Sequence, residues 1–183
     1  MMHAPLSPPQ HAKEVGLLGP IPSETAPLDT GLSAVFRNRW SAFSARAREI
    51  ETDDHRIWHF LAAPGIFERT PCAGVWCLSH NRQSEPGALV LAATNAQPPA
   101  DGAWFTAARD LIQAATESFA SADRLYRRLR DLPRLIPTET KGAGVTFWIN
   151  DWEVHELHYD SIHALAATGL SDMTGLRPEI EGG

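Results

Sequence analysis

Apolar positions from Leu32 onward recur at helical spacing: Leu32, Phe36, Trp40, Phe43, Ala47 and Ile50 make one stripe, with Arg37, Arg46 and Arg48 off it. That period predicts a helix. Thr52-Asp53-Asp54 then reads as an N-cap followed by acidic first-turn residues, which suit a helix dipole. A second helix is expected from Asp53 to Ala63, stopped by Pro64-Gly65. Cys72 to Asn81 and Ala88 to Asn95 are short, apolar runs joined by Arg82 to Gly87, where Glu85-Pro86-Gly87 makes a turn. They predict a β-hairpin with at least one buried face.

Pro98-Pro99-Ala100-Asp101 opens the clearest helical pattern, with Asp101 as N-cap and Trp104, Ala108, Leu111, Ile112, Ala115 and Phe119 as its buried stripe. Ser121 caps a shorter helix carrying Leu125, Leu129 and Leu132, which Pro133 stops. Gly144 to Ile149 is β-branched and aromatic and reads as a strand. Asn150 and Glu153 stand at capping-box spacing, and Asp151 to Thr168 holds neither Gly nor Pro before Gly169, so a last long helix is expected there. On it, at about 100° per residue, His155 and His158 fall inside the apolar arc and His163 at its edge. The competing structure is a hairpin turning at Asn150-Asp151, with His155 and Tyr159 on one face and His158 on the other.

Together these elements predict an α+β fold, a small and mainly antiparallel sheet of about 3–4 strands packed by about four helices. Residues 1–30 carry Pro5, Pro8, Pro9, Pro20, Pro22 and Pro27 and read as a Pro-rich arm, extended or disordered. Residues 31–170 make the single domain, and residues 171–183 a tail.

A length of 183 residues suits one domain, and 43% hydrophobic residues are enough for a core. The net charge of −6 argues against a nucleic-acid partner. No apolar run reaches the roughly 18–20 residues of a membrane span, and the N-terminus lacks a signal-peptide core. A soluble, cytoplasmic protein is expected. The two cysteines, Cys72 and Cys77, are too few for a disulfide framework, and a spacing of five puts them on opposite faces of a strand.

The chemistry that these residues offer centres on His155 and His158. Two imidazoles in an apolar arc must be paired, bound or open to a cavity, because an unsatisfied buried polar group costs about 1–3 kcal/mol. As metal ligands, His155, His158 and His163 with Asp151 and Asp160 would suit iron, zinc or manganese. In metal-free catalysis, a His would act in acid–base exchange with Tyr159, Glu156 or Asp151, His155 first because Asp151 and Tyr159 stand one turn either side of it. His55 and His59 form a weaker i, i+4 metal pair on the second expected helix. Six Trp offer walls for an aromatic pocket. Arg124, Arg127, Arg128, Arg130 and Arg134 crowd within eleven residues and form either a carboxylate clamp or a solvated helix face. The expected function is therefore a His/Trp/Tyr-lined pocket for a small molecule, enzymatic through His155, His158, Tyr159 and Asp151. The alternative is a non-catalytic accessory protein that binds a small molecule or peptide.

Overall fold

The computed structural model describes residues 15–50, 56–95, 102–133, 135, 145–149 and 153–157. The described chain runs β1 (Val15–Gly19), β2 (Leu28–Thr30), α1 (Ala34–Ile50), β3 (Trp58–Ala62), β4 (Cys72–His80), β5 (Pro86–Thr94), α2 (Ala103–Thr116), α3 (Ala122–Arg130), β6 (Val145–Ile149) and β7 (Glu153–Leu157). Every strand pair is antiparallel, in the order β2-β1-β5-β4-β3-β6-β7.

The expected α+β class holds only at that coarse level. The core is a five-stranded antiparallel sheet, β2-β1-β5-β4-β3, extended at β3 by the β6–β7 hairpin. Three helices, not four, lie among the described residues. Two expected helices hold strands among their described residues. Within the Asp53–Ala63 segment, Trp58–Ala62 forms β3, whose WHFLA run is buried at four of its five positions and pairs with β4 and β6. Burial from both sides removes the alternation that marks a strand in sequence. Within the Asp151–Thr168 segment, Glu153–Leu157 forms β7, in register with β6 from Ile149↔Glu153 to Val145↔Leu157. This is a hairpin, as in the competing reading, but Ile149 stands opposite Glu153, where a two-residue turn at Asn150-Asp151 would have set it opposite Trp152, and the residues between them lie outside those described. The capping-box spacing at Asn150 does not nucleate a helix over Glu153–Leu157.

The segment read as a Pro-rich arm contributes two strands. β1 pairs with β5 through Val15↔Ala93 to Leu18↔Val90, and β2 forms the sheet edge beside it. Leu17, Ile21 and Leu28 are buried there. Pro20, Pro22 and Pro27 lie between these two strands, where no ladder hydrogen bond is lost.

The sheet separates two apolar layers by strict alternation. Trp58, Phe60, Cys72, Trp76, Leu78, Ala88 and Val90 face α1, meeting Phe36, Trp40, Phe43 and Ala47. Ala73, Val75, Cys77, Leu89, Leu91 and Ala93 face the other way, onto Trp104, Ala108, Leu111, Ile112 and Ala115 of α2 and Leu125 of α3. β4 and β5 are therefore covered on both faces, which explains why their sequences are almost wholly apolar. Cys72 and Cys77 do fall on opposite faces, and both are buried thiols outside any disulfide.

Candidate functional site

The helical period of α2 brings Trp104, Ala108, Leu111, Ile112 and Ala115 onto the sheet, as the sequence predicts. Its ends differ from expectation. Gly102, in the left-handed region at φ 70°, precedes the first turn, and Asp101 lies outside the described residues. The helix stops at Thr116, because Glu117 adopts an extended backbone at φ −78° and ψ 139°. The predicted stripe is thereby cut one turn short. Phe119, expected in the core, is 92% exposed.

Ser121 restarts the chain as a helix cap. Its hydroxyl accepts from Arg124 N at 3.3 Å, and Glu24 Oε1, from the β1–β2 connection, accepts from Ala122 N at 3.3 Å. These two acceptors satisfy first-turn donors that a helix leaves open and fix α3 against the sheet. Leu125 is fully buried beneath it. Arg124, Arg127 and Arg128 are exposed and fall within about 100° of arc on α3. Among the described residues none of the three has a carboxylate partner within ion-pair distance.

Between α2 and α3 lies an open groove of about 330 Å³. Arg124 and Arg128 form its α3 wall, and Asp110, Gln113 and Glu117 its α2 wall. Ala114, Ala120 and Leu125 make the floor, with Phe119 at the lip. The groove therefore has a small apolar floor, walls of opposite charge and one free aromatic ring.

The residues singled out in sequence are distributed differently. His59 lies on β3, in register with Val75 and Trp148, and is 4% exposed. Its ring meets Phe105 of α2 edge-on at 5.5 Å. It does not share a helix face with His55, which lies outside the described residues. His155 lies on β7, in register with Phe147, which is itself in register with Phe60. Asp151, His158, Tyr159 and His163 lie outside the described residues. Cys72 and Cys77 cannot share an ion, because the sheet stands between them. Among the described residues no group of three or more His, Cys, Asp or Glu is placed to hold a metal.

Trp40, Trp58, Trp76 and Trp104, expected to line a pocket, fill core instead. Trp76 stacks on Trp58 at 6.1 Å and 11°, and meets Trp40 edge-on at 6.0 Å and 73°. Trp104 is fully buried beneath α2. Burial pushes the Cys72 thiol far above its ordinary pKa, and the nearby charge of Glu68 adds to the shift; a thiol held neutral in this way is a poor nucleophile. No described helix is long and apolar enough to cross a membrane.

No protein-family model and no curated protein matches the chain. Among solved structures it is similar to the crystal structure of PA0076 from Pseudomonas aeruginosa PAO1, with 19% sequence identity and a TM-score of 0.57. The match covers 87% of this chain and 78% of that one. At this identity the likeness concerns the chain path alone.

Proposed function

We propose that this chain is a non-catalytic binding protein that takes a peptide segment of a partner along the groove between α2 and α3. The observation that carries this reading is Phe119, which stands 92% exposed beside that groove. It is the one large apolar side chain exposed among the described residues. Exposed aromatics next to a concave floor are favoured anchors at interfaces, because they bury much area at little entropic cost. The groove sits between two elements that are each firmly seated, α2 by its buried stripe and α3 by Leu125 and its two first-turn acceptors. Such a floor recognises a partner without reorganising itself.

The test is selection from a random displayed peptide library on the immobilised full-length protein. Selected peptides should compete with one another and lose binding to Phe119→Ala. The melting temperature of that variant should match wild type, since the ring buries almost nothing. Peptides indifferent to Phe119, or no selected peptide, would overturn the reading.

A further inference from the structure

We infer that the segment bound along α3 is acidic, with carboxylates meeting Arg124, Arg127 and Arg128 and an apolar residue resting on the Ala114–Ala120–Leu125 floor beside Phe119. The inference rests on the binding reading above and deepens it by naming the partner's chemistry. In this chain, of net charge −6, α3 carries Arg124, Arg127, Arg128 and Arg130, all exposed, against Asp123 in its first turn. Nor is the basic face used internally. By contrast, α1's arginines are held by the fold: Arg37 pairs with Asp29 at 2.8 Å, Arg39 donates to Gly65 O at 2.6 Å and Arg48 donates to Pro86 O at 2.7 Å. Of the arginine side chains on α3, only that of Arg127 makes a hydrogen bond within the described residues, a 3.4 Å contact from Nε to Asp123 O that leaves the rest of the guanidinium free.

Guanidinium groups take carboxylates through paired, charge-assisted hydrogen bonds, and one turn of helix sets Arg124 and Arg128 at the spacing that successive acidic side chains can reach. The α2 wall adds direction. Asp110 and Glu117 repel carboxylates from that side, so the acidic edge of the segment is turned to α3 and its amide or basic positions to α2. The N-terminus of α3 itself is not the site, since Ser121 and Glu24 already accept its first-turn donors.

Fluorescence anisotropy decides the matter, using a labelled twelve-residue probe rich in Glu with a central Leu-Phe pair. Two control peptides carry Lys in place of Glu, or Ala in place of Leu-Phe. The full-length protein should bind the acidic probe, more weakly as salt rises, and the Lys peptide at least about tenfold less tightly. Arg124→Glu/Arg128→Glu should lower affinity for the probe about tenfold or more, and Arg124→Gln/Arg128→Gln by less, with melting temperatures unchanged. Arg82→Glu, the same two-unit charge change as the Gln double variant but placed on the β4–β5 turn, should shift affinity less than about twofold. Equal binding of the Glu and Lys peptides, no effect of either double variant, or no binding of the probe would overturn the acidic partner. If selected library peptides still depend on Phe119 yet carry no acidic residues, the binding reading survives and only this inference falls.

Discussion

One hydroxyl group joins Ser33 to Glu68 and, through them, α1 to the loop after β3. Ser33 Oγ accepts from Phe36 N at 3.1 Å, capping the helix, and donates to the Glu68 carboxylate. The other carboxylate oxygen accepts from Arg69 N at 2.8 Å. Glu68 is 9% exposed, and its neighbours Ile66 and Phe67 complete the layer over Phe36 and Trp40. The polar pair therefore holds the loop that closes this core.

Ser33→Ala should accordingly cost more than an ordinary cap. Loss of a Ser cap removes about 0.5–2 kcal/mol, and a buried carboxylate oxygen left without its donor adds about 1–3 kcal/mol. A combined loss of about 1.5–5 kcal/mol in urea unfolding is expected. Ser33→Thr, which keeps the hydroxyl, should recover most of it. A loss no larger than a bare cap would mean that the Glu68 contact contributes nothing.

Gly74 makes room for Phe60. A Cβ at this position would stand 2.6 Å from the Phe60 ring and 2.5 Å from the Leu91 carbonyl oxygen, closer than real contacts allow. Gly74→Ala should therefore destabilise the protein by about 1–3 kcal/mol, as overpacked cores do. Adding Phe60→Leu should give a double variant less unstable than the two single losses summed, because the smaller side chain vacates the clash. Strict additivity in denaturant titrations would place the cost on the backbone contact alone.

These two sites also mark how far the sequence could be read. The β4–β5 hairpin was legible because two apolar runs flank a polar turn, although Pro86 and Gly87, read as part of that turn, pair with β4 as the first residues of β5; α1 and α2 were legible because their stripes keep a helical period. β3 was not, since WHFLA is buried on both faces and has no period to distinguish five residues of strand from a turn of helix. Its partners, β4 and β6, are defined only by pairing at long range. Phe119 misled for a related reason. It stands four residues beyond Ala115, and neither Gly nor Pro announces the end of α2 at Thr116. The available signal was Ser121: a cap there requires the chain to leave one helix before entering the next. The Arg cluster was visible, but its relation to Asp110 and Glu117 across the groove was not.

Cys72 couples stability to alkaline pH. Its thiol pKa is raised in the fold by burial, with the charge of Glu68 adding to it. The unfolded chain therefore loses the proton first, near about pH 8.5, while the folded chain keeps it. Protons are then fewer on the unfolded state, so stability is full below that pH and falls above it, by up to about 1.4 kcal/mol per pH unit for this group. Urea midpoints measured from pH 7.5 to 10 for wild type and Cys72→Ala should diverge in slope above about pH 8.5, with wild type steeper. The comparison cancels other groups that titrate in the same range. Parallel slopes would show that the thiol ionises equally in both states.

Leu125 and Arg128 line the same groove but should answer mutation in opposite ways. Leu125 is fully buried and seats α3 on the layer formed by α2 and the sheet. Leu125→Ala should cost about 2–5 kcal/mol, the range for a large aliphatic side chain removed from a core, and should loosen α3 as a unit. Amide exchange would then speed up through residues 122–130 before the sheet is affected. Arg128 is exposed and has no ion-pair partner among the described residues. Arg128→Ala should change stability by less than about 0.5 kcal/mol, as surface substitutions do. A folding role for the guanidinium would appear as a matching loss in both variants. The expected split, stability from the floor and none from the wall, leaves Arg128 available for contacts outside the chain.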